Sequence, residues 1–327
     1  MNILVIGGTR FLGRHFVNSA RAYGHEVTLF NRGKTNPTLY RRVKTIVGDR
    51  ERDLDQLSGR WDAVVDTCGY IPRMVKRSAE ALKDKVGQYV FISSVSVYND
   101  FSKVGLREGD SVGQLEDENV EEITGETYGP LKALCERAVQ DVYGVNSLII
   151  RPGLIVGPHD PTDRFTYWPV RIKLGGDVLT PDRPEALTQF IDVRDLSDFI
   201  VKMIEQNISG VFNVTGNPIT LNTVFETCKR VSKSDASFKW APVEFLEKNN
   251  VAPWSDMPAW LPSTGENAGF SRVDITKALQ AGLKFTDLSE TIRETLAWEF
   301  ERGESMDLKA GLKPEREKEL LALLSEK

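Results

Sequence analysis

Residues 2–13 constrain the fold more than any other stretch of the chain. The apolar run Asn2–Ile6 passes directly into Gly7-Gly8-Thr9-Arg10-Phe11-Leu12-Gly13 and then into an amphipathic segment over 11–23. A buried strand, a glycine turn and a helix N-terminus together make a pyrophosphate site. The missing side chains let backbone approach the anion, and the free N–H groups and helix dipole stabilise its charge. Read as a P-loop, Gly8-x-x-x-x-Gly13 is followed by Arg14-His15, without the Lys-Ser/Thr that phosphate and magnesium require, which disfavours a nucleoside triphosphatase. An ordinary glycine turn is the bland alternative. The position on the first strand of an alternating pattern favours a dinucleotide.

That alternation runs through the first half. Short β-branched runs at 3–6, 27–30, 45–47, 63–66, 89–93 and 148–150 read as buried parallel strands, with helical patterns at 11–23, 74–84 and 131–142 between them. The pattern predicts an α/β fold, a Rossmann-type doubly wound parallel sheet. Beyond about residue 216 the texture turns helical (221–231, 273–281, 288–300, and a charged tail at 314–327), which predicts a smaller, mostly helical C-terminal substrate lobe. At ~150 residues per domain, 327 residues suggest two units. Residues 1–160 and 189–216 are assigned to an NAD(P)-binding Rossmann domain, and 161–188 with 217–327 to the substrate lobe. Two long irregular segments, the acidic 99–127 and 157–188, are of the length at which loops are usually functional or mobile.

Composition excludes several classes. Lys and Arg number 42 against 47 Asp and Glu, a net charge of −5, so no global basic field attracts nucleic acid or an anionic membrane. Cys68, Cys135 and Cys228 form no CxxC pair or disulfide framework, which suits a reducing, cytoplasmic compartment. His15, His25 and His159 stand at no metal-ligand spacing, so no metal is expected. No apolar run approaches the ~18 residues of a membrane span, and Gly7-Gly8 interrupts any secretory signal.

The second strand ends Phe30-Asn31-Arg32-Gly33-Lys34, where an acid would grip the ribose 2′-hydroxyl of NAD and an Arg the 2′-phosphate of NADP. Asn31 stands there instead of an acid, with Arg32 beside it and Arg10 across the loop, so NADP is preferred over NAD. Solvated loop charges are the competing account of Arg32 and Lys34. Further on, Tyr128-Gly129-Pro130-Leu131-Lys132 opens a helix, and positions i and i+4 share a face. A nearby ammonium would stabilise the phenolate and bring its pKa, near 10 when unperturbed, toward the working range of a base. The preceding strand ends Ser93-Ser94-Val95-Ser96-Val97-Tyr98, which places hydroxyls at the carboxyl edge where such sheets bind ligands.

With these features the sequence resembles the extended short-chain dehydrogenase/reductase family, also called the NAD-dependent epimerase/dehydratase family. The resemblance rests on the Gly7–Gly13 loop, Gly48-Asp49-Arg50, Ser93-Ser94-x-x-Val97-Tyr98, Tyr128-x-x-x-Lys132, Arg151-Pro152-Gly153 and Phe190-Ile191-Asp192-Val193-Arg194-Asp195-Leu196, and covers 1 to about 215 well. It implies a catalytic triad of Ser94, Tyr128 and Lys132. In it Ser94 bonds the reacting oxygen, Tyr128 exchanges a proton with it, and Lys132 tunes the tyrosine and binds the nicotinamide ribose. It further implies that Gly7, Thr9, Arg10, Phe11, Leu12, Gly13, Asn31, Arg32 and Ser93 belong to the cofactor site. Asp49 and Arg50 would flank the adenine; Thr67, Cys68 and Gly69 would form the turn under the cofactor; Pro152 and Leu154 would line the nicotinamide. Three departures stand out: Arg10 replaces the loop's middle glycine, Asn31 the ribose acid, and Asp66-Thr67-Cys68-Gly69 an Ala-Ala turn.

On the substrate side, the stretch 157–168 gathers His159, Arg164, Tyr167 and Trp168 at the open edge, joined by Ser96. An Arg there could hold a carboxylate or phosphate, and aromatics could cover a ring. The alternative is a helix capped by Asp160 or Thr162 with Phe165 and Trp168 in the core. Trp254 and Trp260 either roof the pocket or plug the lobe. The resulting expectation is an NAD(P)-dependent oxidoreductase that moves hydride between nicotinamide and a secondary alcohol or ketone of a small molecule; a homodimer is compatible with it. One alternative is a sugar-nucleotide-type epimerase with retained NAD. The Gly-Gly-Thr-Arg-Phe-Leu-Gly form is also similar to that of chloroplast stem-loop RNA-binding proteins, so another alternative is an RNA-binding or dinucleotide-sensing protein on the same fold. The acidic balance argues against nucleic acid.

Overall fold

A computed structural model of the chain describes residues 1–303 and 307–326. The strands are β1 (Asn2–Ile6), β2 (Glu26–Asn31), β3 (Lys44–Val47), β4 (Trp61–Asp66), β5 (Val86–Ile92), β6 (Ser147–Pro152), β7 (Leu154–Val156), β8 (Asp177–Pro181), β9 (Leu187–Thr188), β10 (Phe190–Asp192), β11 (Gly210–Val214), β12 (Ile219–Thr220) and β13 (Ser237–Ala241). The helices are α1 (Phe11–Ala22), α2 (Pro72–Leu82), α3 (Tyr128–Tyr143), α4 (Tyr167–Lys173), α5 (Val193–Glu205), α6 (Leu221–Ser232), α7 (Val243–Lys248), α8 (Thr276–Gln280), α9 (Leu288–Arg302) and α10 (Pro314–Ser325).

Seven strands form one parallel sheet in the order β11-β6-β5-β4-β1-β2-β3, the doubly wound arrangement expected. The chain winds outward from β1 through β2 and β3, then crosses back to β4 on the other side of β1. That reversal opens a crevice at the carboxyl ends of β1 and β4, where such sheets bind ligands. The central strands are buried on both faces, as parallel sheets are, while the edge strand β3 is largely exposed. Along β1, Ile3 and Val5 face α1 and α5 with Phe16, Leu196 and Ile200, while Leu4 and Ile6 face α2 and α3 with Val75, Tyr89 and Val139. The period of two in one strand therefore feeds two separate cores.

A third core lies in the second half, built by Trp168, Ile172, Phe225, Phe245, Trp260 and Leu320. It is mostly helical but holds two small sheets, β8 with β13 and β9 with β12. The helix read at 273–281 is only the short α8, and the strand β11 with its preceding helix α5 had no counterpart in the sequence reading. The charged tail is α10, with Lys327 outside the described residues. Among the described residues no helix is long and apolar enough to cross a membrane.

Candidate active site

The dinucleotide loop is held by contacts that leave no room for side chains. Gly7, at φ 105°, would place a Cβ 2.5 Å from Thr67 Oγ1, so only glycine lets the turn under β4 close on the loop. Asn31 donates to the Gly7 carbonyl (3.0 Å) and accepts from Gly33 N (2.9 Å). The residue in the ribose-acid position therefore ties the loop to the end of β2. Asn36 donates to Thr9 O at 2.9 Å. Arg10 is the residue before the first turn of α1; it and Arg32 are exposed, and neither has an ion pair among the described residues. Leu12 is buried and Phe11 packs against the sheet core.

Beneath the crevice, Thr67 Oγ1 donates to Ile6 O (2.9 Å), and Cys68 N donates to Asp66 Oδ1 (3.2 Å). Gly69 closes the turn against Phe91 and Val75. Asp49 folds its own turn, accepting from Glu51 N at 3.0 Å. The Arg50 guanidinium is buried in a two-pronged ion pair with Asp66 (2.7 and 3.0 Å) and donates to Ser78 Oγ at 2.9 Å. Pro152 and Leu154, at the end of β6 and start of β7, are both buried.

Tyr128 is the first residue of α3, where the Tyr128–Lys132 motif places the helix start and three residues before the apolar pattern at 131–142 begins. Pro130 falls in the first turn, where its missing N–H has no intrahelical partner to lose. At Gly129 a Cβ would lie 2.0 Å from Ser96 O, so this glycine lets the helix start sit directly on the serine turn. Ser94 caps that turn, its Oγ accepting from Ser96 N (3.1 Å) and donating to Ser96 Oγ (3.0 Å). The Ser93 hydroxyl is buried without a partner at the same strand end.

Burial pushes the Tyr128 phenol up, and Ser94 and the positive charge of Arg164 pull it back. The Lys132 ammonium turns inward to donate to Gly69 O (2.7 Å) and Ile92 O (2.5 Å), lies 4.3 Å from the Phe91 ring centroid, and is brought down to about 8 by burial. One of its three protons is left for a further acceptor. Arg164 is thus a positive charge that favours the phenolate, which the sequence did not single out for that role.

Arg164 is half-buried, donates through Nε to Thr162 Oγ1 (3.2 Å), and stacks 5.2 Å from the Trp254 ring. No carboxylate lies within ion-pair distance of it among the described residues. Thr162 is fixed in turn by Asp160, which accepts from its N–H and hydroxyl at 2.9 and 2.7 Å. Trp254 is partly buried against the third core with Arg164 over its ring, whereas Trp260 is a buried plug of that core.

Tyr167 and Trp168 are buried in the third core, with Trp168 donating to Pro258 O (2.6 Å) and stacked 4.5 Å from Phe225. Neither Asp160 nor Thr162 caps α4, whose preceding residue is Thr166. His159, at φ 69°, packs between His15 (5.8 Å) and Trp298 (5.3 Å) with Nδ1 3.4 Å from Arg14. Burial and Arg14 bring it down to about 4, so it is neutral and acts as a packing residue.

Ser96, with Tyr128, lines a cavity of about 740 Å³ whose wall is the acidic segment 99–127, through Phe101, Gln114 and Ile123. Tyr98 at its base donates to Asn213 Oδ1 (2.7 Å) and accepts from Arg151 (3.2 Å), which is paired with Glu136. Sequence reading missed these wall residues individually, though the length of the segment marked it. Among the described residues, no group of three or more His, Cys, Asp or Glu is placed to hold a metal.

Removing Arg164 tests its effect on the phenol. Without the guanidinium the phenolate is less stable, so the pKa of Tyr128 rises. In Arg164→Met the ultraviolet absorbance change that marks ionisation of Tyr128, identified by its loss in Tyr128→Phe, should move to higher pH. An unmoved titration would show that Arg164 does not act on Tyr128.

Three comparisons bear on this geometry. The family model described as "NAD dependent epimerase/dehydratase family" matches residues 3–215. The chain is 25% identical to the chloroplast stem-loop binding protein of 41 kDa b of Arabidopsis thaliana, over 92% of this chain and 80% of that protein. It is 26% identical to a UDP-glucose 4-epimerase of Neisseria meningitidis serogroup A, over 64% of this chain and 75% of that one. Among solved structures it is similar to UDP-N-acetylglucosamine 4-epimerase from Methanobrevibacter ruminantium M1. That match has a TM-score of 0.69 at 20% identity and covers 92% of this chain and 98% of that one. At such identity it speaks for the fold.

Proposed function

The chain belongs to the NAD dependent epimerase/dehydratase family, and from that premise we propose that it is an NAD(P)-dependent oxidoreductase acting on a secondary alcohol or ketone of a sugar nucleotide or similar small molecule. The observation that carries this reading is Tyr128, held at the head of α3 by Gly129, facing Ser94 and opening onto a cavity beside the crevice.

The residues present fit a dinucleotide. Gly7 leaves the cradle free, the N-terminus of α1 supplies unpartnered N–H groups, and the Ser93 hydroxyl and the third proton of Lys132 lack acceptors at the strand ends. Bound there, the nicotinamide would accept or supply the hydride. Lys132 would hold the ribose with its remaining proton. Ser94 would orient the reacting oxygen, and Tyr128 as phenolate would take the proton leaving a carbinol, or as phenol return it to a ketone. The division into a Rossmann domain (1–160, 189–216) and a substrate lobe (161–188, 217–327) follows from this assignment.

Exposed Arg10 and Arg32 beside a position that lacks an acid support NADP, and an exchangeable cofactor supports net reduction. A related epimerase would instead keep NAD through the cycle. Fluorescence titration should show NADPH binding tighter than NADH. Arg32→Ala should weaken NADPH by about tenfold and leave NADH nearly unchanged, the scale of a hydrogen bond to a charged group. Tighter NADH would remove Arg32 from the cofactor site and favour the epimerase. An RNA-binding or sensing protein, suggested by the Arabidopsis relative, would have no use for a phenol opening on a cavity. Turnover of any carbinol substrate separates the two.

A further inference from the structure

Lys132 is only 3% exposed, although its ammonium keeps one proton without an acceptor among the described residues. Two rings cover it. On the inner side lies Phe91 of β5, fully buried, with its centroid 4.3 Å from Nζ. On the outer side lies Tyr70, 45% exposed, with its centroid 5.2 Å from Nζ. Tyr70 follows the turn Thr67-Cys68-Gly69 beyond β4, and the carbonyl of its neighbour Gly69 takes one of the lysine's protons. The fold's packing does not call for this ring, since Tyr70 belongs to none of the hydrophobic cores. Its placement in the crevice does the explaining. An acceptor for the third proton must come within about 3 Å of Nζ. Phe91 and the two carbonyls close the inner side, so the acceptor has to approach from the side that Tyr70 borders.

We propose that Tyr70 is a further residue of the cofactor site: its ring shields the Lys132 ammonium and forms the outer wall against which the nicotinamide ribose seats. This rests on the reading that Lys132 holds that ribose.

The shield ties cofactor affinity to pH. Burial brings the Lys132 ammonium down to about 8. Once neutral, the amine has two protons, which Gly69 O and Ile92 O take, and none for a ribose. Affinity should therefore be level from about pH 7 to about 8 and fall above that. Around the ammonium, Asp66 and Glu136 are paired with Arg50 and Arg151. The thiols of Cys68 and Cys135 and the phenols of Tyr70 and Tyr128 are all held above their ordinary values. The lysine is thus the group of this cluster that titrates first as pH rises.

The test is fluorescence titration of the whole chain with NADPH and with NADH between pH 7 and 10, for the parent, Tyr70→Ala, Tyr70→Phe and Lys132→Met. For the cofactor that binds tighter, Tyr70→Ala should weaken affinity about five- to tenfold at pH 7, the loss of one ring contact. Water then reaches the ammonium, so the alkaline fall should begin at higher pH. The ring's own attraction for the cation acts the other way, but at 5.2 Å on an exposed face it is the smaller effect. Tyr70→Phe keeps the ring and should match the parent in affinity and in the pH of the fall. Melting temperature should hold in both, because the ring lies outside the cores. Lys132→Met should bind weakly and show no alkaline fall. If Lys132→Met binds as well as the parent, the ribose reading of Lys132 fails and the role of Tyr70 falls with it. If Lys132→Met binds weakly but Tyr70→Ala keeps parental affinity, or its alkaline fall is unmoved or lowered, the role of Tyr70 alone is overturned.

Discussion

Replacing Tyr128 by phenylalanine should lower turnover by about 10²–10⁴-fold, the usual contribution of a positioned acid–base group, while fold and cofactor affinity hold. The substitution removes one oxygen and keeps the ring that packs at the head of α3. The backbone approach of Gly129 to Ser96, which sets the position of the ring, does not involve the hydroxyl. What is lost is the group that exchanges a proton with the substrate oxygen. Ser94 does not replace it, because its Oγ is committed to Ser96 and an alcohol is too weak an acid for the task. Single-turnover absorbance of the nicotinamide with any accepted substrate reads the effect on the chemical step. A variant with parental turnover would end the enzyme reading of this site and bring forward the RNA-binding or sensing alternative.

Much of this geometry was legible because it is local. A glycine turn between a β-branched run and an amphipathic run, and alternation of short apolar runs with helical ones, are written in neighbouring residues; they led to the sheet, to the loop and to Tyr128. What was not legible depends on where distant segments meet. Lys132 and Tyr128 sit four apart on one helix, but the ammonium turns inward because the carbonyls of Gly69 and Ile92, brought together by β4 and β5, accept its protons. Arg164, 36 positions beyond Tyr128 in the numbering, is a charge that favours the Tyr128 phenolate. Trp168 and Tyr167 stand in the same stretch as Arg164, yet their side chains point into a core formed with Phe225 and Glu317-bearing α10, elements remote in sequence.

Arg50 is the sharpest instance, and it yields the second large expectation. Asp66→Asn should destabilise the protein by about 3–5 kcal/mol, the cost of leaving one member of a buried ion pair uncompensated. Asp66 is fully buried at the end of β4 and accepts from both Arg50 terminal nitrogens, from Tyr89 OH (2.9 Å) and from Cys68 N (3.2 Å). The asparagine has nearly the same shape but carries no charge to match the guanidinium. It also forces one of its nitrogen donors toward groups that themselves donate. Adding Arg50→Met should restore part of the loss, since removing both charges avoids the unpaired one. Denaturant unfolding of the two single variants and the double variant measures this, and a coupling near zero would show that the pair is solvated. The pair also bears on function. The bond from Cys68 N to Asp66 holds the turn whose Thr67 closes against Gly7, so a loosened carboxylate should weaken cofactor binding even at temperatures where the chain stays folded. A residue that resemblance places beside the adenine thus contributes from below, by keeping the floor of the crevice in place.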